Sequence, residues 1–201
     1  MLKFWARSFV VAALVGAAMP VFAAEITSPA KQAHVTDFAT GKILFSKDAD
    51  APMKPASMAK IMTVFVAFQR IADGQLGMDD KFTISEKAWK KGGSRTFLEV
   101  GRTVSVRELL YGIIVQSGND AAIVLAEGIS GTENAFAQEM NFWAKKIGMK
   151  NTNFRNSTGW PDPDLTTTAV DLNIMTAELI RRFPADKYPD LYPIFAEREY
   201  T

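Results

Sequence analysis

One stretch limits what this chain of 201 residues can become. From Ser57 to Ala72 runs a segment of helical length without Gly or Pro, and apolar residues fall on every side of it. A helix that is apolar all round belongs inside a domain, so the rest of the chain must wrap it. At its first turn stand Ser57 and Lys60, three residues apart and therefore on one face. A buried lysine is costly unless its charge is paired or its pKa falls. A lysine that sheds its proton readily can take one from a neighbouring hydroxyl and make that hydroxyl a nucleophile. The helix N-terminus adds partial positive charge and N–H groups for an oxyanion forming at Ser57. The alternative is an N-cap serine with the Lys60 ammonium reaching solvent. Spacing alone does not choose, because Ser28 and Lys31 repeat it in a polar stretch with no apolar helix behind them.

Apolar residues make up 48% of the chain, ample for a core, and a net charge of +1 gives no reason to expect nucleic acid as a partner. With no cysteine, a disulfide framework and a cysteine-based metal site are both excluded. The single histidine, His34, would have to serve any Ser-His-Asp triad, yet it lies in an alternating, strand-like stretch. Residues 1–23 read as a signal peptide: Lys3 and Arg7, an apolar run from Phe9 to Ala18, then Val21-Phe22-Ala23 before the cleavage point. That run is too short for a comfortable membrane span. Cleavage would leave residues 24–201 as a periplasmic or otherwise extracytoplasmic chain with no encoded membrane association. Loss of Lys3 and Arg7 takes the balance of 23 basic and 22 acidic residues to net −1.

Beyond the signal segment, His34–Phe38 and Ile43–Phe45 read as two antiparallel strands turned at Gly41. Pro52 and Pro55 hold the approach to Ser57 extended, and Gly74 stops the helix. A strand-like piece around Phe82-Thr83-Ile84 and a small helix after Ser85 precede Gly92-Gly93-Ser94, which reads as a mobile loop. Ser105 and Glu108 form a capping box for a helix reaching about Gln116. Ser117-Gly118-Asn119-Asp120 interrupts, and helix resumes from Ala121 to Glu127, ending at Gly128. Thr132 caps a helix over Glu133–Ile147, and Thr168 caps another that Pro184 closes after Phe183. From Ile194 the pattern alternates like a strand beginning. Two early strands do not make a stable sheet unaided, so further strands are expected as partners.

Ser117-Gly118-Asn119 sits between two helices in a connection too short to be slack. One reading makes Asn119 a helix cap; the other makes Ser117 a proton relay between Lys60 and a leaving amine, with the Asn119 amide on a substrate backbone. Together, Pro55-Ala56-Ser57-x-x-Lys60 and Gln116-Ser117-Gly118-Asn119-Asp120-Ala121 resemble the serine D-alanyl-D-alanine carboxypeptidases, the low-molecular-mass penicillin-binding proteins. The Gly41 turn, Gly92-Gly93-Ser94, Ala144–Met149 and Thr167-Thr168-Ala169-x-Asp171 extend the resemblance from Gln32 onward. It implies an α/β fold of the β-lactamase/transpeptidase (DD-peptidase) type: an N-terminal strand pair, a central buried helix and a helical lobe over about residues 74–183. Ser57 would be the acylated nucleophile, Lys60 its general base, Ser117 a proton shuttle and Asn119 a substrate ligand. Half of the oxyanion hole would come from the Ser57 N–H. The implied substrate is a peptidoglycan stem peptide ending in D-Ala-D-Ala, with β-lactam antibiotics acylating the same serine and no metal or cofactor taking part.

The family's third element, Lys-Thr-Gly, follows none of the lysines here. The resemblance therefore implies the front part of such an enzyme, incomplete in its C-terminal sheet strands. This leaves a non-catalytic cell-wall- or penicillin-binding module as the alternative. A class A β-lactamase fits less well: Gly118 stands where those enzymes usually carry Asp, and no Glu occurs between Glu139 and Glu178 to deacylate.

Overall fold

The computed structural model describes residues 26–199, so the signal segment expected over residues 1–23 lies outside the described residues. The fold begins with a hairpin of β1 (Ala33–Thr36) and β2 (Ile43–Lys47), antiparallel with Val35 opposite Phe45 and a register shift between Val35 and Thr36. Gly41 turns it at φ +71°, a left-handed angle that a residue with a Cβ enters at a cost. His34 is a strand residue, as its alternating context indicates.

After a 3-10 turn over Ala56–Met58, the central helix α1 (Ala59–Ala72) runs through the core. Its buried set, from Ala59 through Phe68 with only Ile61 half-exposed, covers nearly the whole circumference. Neighbours must therefore lie on all sides. The Phe65 ring lies tilted 5.8 Å from Trp143 and edge-on 5.5 Å from Phe183, and Phe68 meets Phe183 edge-on at 5.5 Å. Burying each such ring contributes roughly 2–3 kcal/mol.

The second strand pair, β3 (Lys81–Thr83) with β4 (Thr103–Ser105), brackets the short helix α2 (Glu86–Lys90), capped by Ser85. The Ser105–Glu108 capping box is formed on both sides and opens α3 (Val106–Gln116). Ser117, left-handed at φ +55°, ends α3 and lets α4 (Asn119–Ser130) set off in a new direction. Thr132 caps α5 (Glu133–Ile147) and Thr168 caps α6 (Ala169–Arg182). The carboxylate of Asp171, in the first turn of α6, accepts from Lys150 N–H, Asn151 N–H and the Thr152 hydroxyl, fastening the chain that leaves α5.

Helix α4 starts at Asn119, two residues before the expected Ala121, and two further departures from the sequence reading have a packing reason. Helix α4 passes through Gly128 and ends at Gly131, because Gly128 is a packing glycine: a Cβ there would stand 2.2 Å from the Phe82 ring. The strand expected from Ile194 is a 3-10 turn over Tyr192–Ala196. Leu191 and Ile194, three residues apart, fall on one side of that tight turn and are buried, while neither strand pair pairs with this segment.

Candidate functional site

The segment before α1 is bent so that Ser57 faces out and Lys60 faces in. Ala56 takes φ +48°, and the 3-10 turn carries Ser57 at an exposed position with no side-chain cap bond. Lys60, one turn later, is only 4% exposed. Its Nζ lies 3.3 Å from Ser57 Oγ and donates to the Thr158 carbonyl at 3.0 Å. The N-cap and solvent-reaching readings of this pair are thereby set aside. Burial lowers the Lys60 pKa from 10.5 to about 8. By contrast, the Ser28–Lys31 copy is a surface turn in which Ser28 Oγ accepts from Ala30 N–H.

Ser57, Lys60 and the half-buried Ser117 line one small open cleft of about 120 Å³. Its floor is apolar: Ile61 and Val64 from α1, Ile113 and Ile114 from α3, and the ring of Phe195. A small polar patch above an apolar trough suits a ligand with a reactive carbonyl and an aliphatic or aromatic body.

Asn119 stands beside this cleft rather than in its lining. It is the first residue of α4, with Gly118 at the cap position, so the capping role falls away. Its amide nitrogen donates to the Gly92 carbonyl at 2.8 Å, and its backbone N–H donates to the Ser94 carbonyl at 2.8 Å. The loop read as mobile is thus tied to the second motif. Gly93 fits between Asn119 and Trp160, where a Cβ would lie 2.7 Å from the Asn119 amide nitrogen and 3.2 Å from the Trp160 ring. Asp120, fully buried, accepts from Thr96 N–H, the Thr96 hydroxyl and Leu98 N–H and holds the loop's far side.

Sequence reasoning missed the third wall. Residues 156–160 approach Lys60 from the α5–α6 connection, and Ser157 is joined to the Glu133 carboxylate by its N–H and its hydroxyl. Burial works against the Glu133 charge, but the Lys87 ion pair and the bonds from Ser157 outweigh it and leave its pKa below the usual value. Asn156 followed by Ser-Thr-Gly was the available signal, an Asx turn with a glycine for a left-handed position.

Helices wrapped round a buried helix that opens with Ser57 and Lys60, with Ser-Gly-Asn across a cleft, place this chain in the class of penicillin-binding proteins and DD-peptidases. It belongs to the D-alanyl-D-alanine carboxypeptidase family, which matches residues 19–194. Among similar proteins, D-alanyl-D-alanine carboxypeptidase DacF of Bacillus subtilis is 40% identical over 84% of this chain and 43% of its own length. DacC of Escherichia coli is 37% identical over 90% of this chain and 46% of its own. The chain therefore spans less than half the length of these curated relatives. Among solved structures, D-alanyl-D-alanine carboxypeptidase DacD from Francisella tularensis superposes with a TM-score of 0.80 at 40% identity, covering 86% of this chain and 40% of that one. Penicillin binding protein 5 from Haemophilus influenzae gives 0.81 at 36% identity, covering 88% and 52%. The fold is accordingly of the β-lactamase/transpeptidase type.

Proposed function

We propose that this protein is a serine D-Ala-D-Ala carboxypeptidase acting on peptidoglycan stem peptides through an acyl-enzyme at Ser57, and that β-lactams acylate the same serine. The supporting observation is the buried Lys60 amine, with no ion-pair partner among the described residues, 3.3 Å from an exposed hydroxyl at the edge of a cleft. Neutral Lys60 takes the Ser57 proton as Oγ adds to the carbonyl carbon between the two D-alanines. The Ser57 N–H, at the start of the helical segment, faces the oxyanion that forms. Ser117 passes a proton to the departing amine, the terminal D-alanine leaves, and water releases the shortened peptide from Ser57. Asn119 orients the substrate backbone. The work is extracytoplasmic, after export on residues 1–23.

The test is a fluorescent penicillin incubated with the folded chain, followed by release of D-alanine from a synthetic peptide ending in D-Ala-D-Ala. Covalent labelling and D-alanine release that both vanish in Ser57→Ala support the reading. A folded sample that takes no label overturns it, and rapid penicillin hydrolysis in place of a lasting adduct points instead to a β-lactamase.

A further inference from the structure

The bend that meets Lys60 is shaped by one side chain. Asn156 Oδ1 is the common acceptor for the N–H groups of Thr158 at 3.2 Å, Gly159 at 2.8 Å and Trp160 at 3.0 Å, and for the Thr158 hydroxyl at 3.0 Å. Its amide donates to the Trp160 carbonyl at 3.0 Å, so both ends of the side chain are used. The result turns two consecutive carbonyls toward α1: Ser157 accepts from the Thr63 hydroxyl at 2.7 Å, and Thr158 accepts from Lys60 at 3.0 Å. Gly159 presses the bend onto the nucleophile turn, where a Cβ would come within 1.7 Å of the Ala56 carbonyl oxygen. Among the described residues no carboxylate touches Lys60, and the Lys87–Glu133 pair reaches the bend only through Ser157.

We propose that Asn156 is the positioning residue for Lys60: it folds the Ser157–Trp160 bend so that the Thr158 carbonyl holds one N–H of the amine and turns its lone pair toward Ser57. A neutral amine has two N–H bonds and one lone pair, and it rotates freely about its last carbon–nitrogen bond. An acceptor fixed on one side removes that freedom, and fixed geometry of this kind is worth large factors in rate. The same bend also covers the amine, so the burial that depresses the Lys60 pKa depends on it. This inference rests on Ser57 and Lys60 acting as nucleophile and base, but the titration of Lys60 needs no substrate and tests it separately.

The experiment uses the full chain with carbon-13-labelled lysine, Lys60 being assigned through Lys60→Arg. In the unmodified chain Lys60 should titrate near 8. In Asn156→Ala it should titrate higher by roughly one unit or more, toward an ordinary lysine, and the acid limb of penicillin acylation should move with it. Asn153→Ala is the control: its amide donates to the Asp164 carbonyl in the same connection and leaves the bend alone, so Lys60 should titrate as before. Asn156→Asp keeps the acceptor for the three N–H groups but loses the donor to the Trp160 carbonyl and sets a carboxylate near Lys60. It should fold and should acylate at least about threefold faster than Asn156→Ala above about pH 10, when Lys60 is largely neutral in both. A folded Asn156→Ala with Lys60 titrating at its native value overturns the proposal. So does a folded Asn156→Asp that acylates no faster than Asn156→Ala above about pH 10. If the unmodified chain takes no penicillin, the functional reading fails alone and the Lys60 titration still decides the role of Asn156.

Discussion

Lys60 reaches across to Thr158, far along the chain, and donates to its carbonyl at 3.0 Å, and among the described residues it forms no ion pair. A carbonyl orients an ammonium without neutralising it, so the site keeps its lysine buried and easily deprotonated. With a pKa of about 8, only about one molecule in ten carries the free amine at pH 7. Acylation of Ser57 by penicillin should therefore climb about tenfold from pH 7 and level off above about pH 8 to 9. Stopped-flow labelling across that range checks this, and a rate that is flat or falls between pH 7 and 9 contradicts it.

The same burial bears on stability. A lysine whose folded pKa lies below its unfolded value of 10.5 is protonated in both states below about pH 8, where the folded chain carries the full burial cost. Between about 8 and 10.5 the unfolded chain binds the extra proton, so this group makes stability rise with pH, by about 3 kcal/mol in all. Lys60→Met should stabilise the fold at pH 7 by about 1–3 kcal/mol, less whatever the orphaned Thr158 carbonyl costs, while abolishing acylation. Urea unfolding of both proteins at pH 7 and pH 10 measures this; a variant less stable than its parent at pH 7 refutes it.

Gly93 and Gly101 separate backbone strain from contact. Both have φ +79°, but a Cβ on Gly93 strikes the Asn119 amide whereas one on Gly101 meets nothing within 4 Å. Each alanine substitution should cost about 1–2 kcal/mol from the left-handed angle. Gly93→Ala should also slow acylation, by on the order of tenfold to a hundredfold, through displacement of Asn119. Gly101→Ala should not. Equal acylation rates for the two would detach the loop from the site.

Gly128→Ala offers a case in which propensity and packing disagree in sign. In a helix interior alanine is favoured over glycine by about 1 kcal/mol. Here the added methyl would lie 2.2 Å from the Phe82 ring, and overpacking of that kind costs typically about 1–3 kcal/mol. The net expectation is a lower melting temperature, restored when Phe82 is also shortened to leucine. Calorimetry of the single and double variants decides it.

What could be read along the chain was whatever local spacing encodes. The capping serines and threonines, the all-round apolar character of residues 57–72 and the closeness of Ser57 to Lys60 each lie within one or two helical turns. The Ser117–Asn119 connection was legible as a short bend. Its attachment to Gly92 and Ser94 was not, because backbone carbonyls carry no residue-type signature. The Thr158 acceptor was hidden for the same reason. Gly128 misled because a packing glycine and a terminating glycine look alike until the ring of Phe82 is placed. The 192–196 turn misled because an alternating pattern forms a strand only where another strand's edge is available.

Ser117 lines the cleft and Ala56 leads into the turn that carries Ser57, and both hold positive backbone φ angles that glycine would adopt with less strain. At Ser117 the relief would be about 1 kcal/mol, and the hydroxyl would go with it. A chain selected only for robustness would drift toward glycine there and stay well folded while falling silent. Serine at that uncomfortable corner therefore answers a demand other than durability.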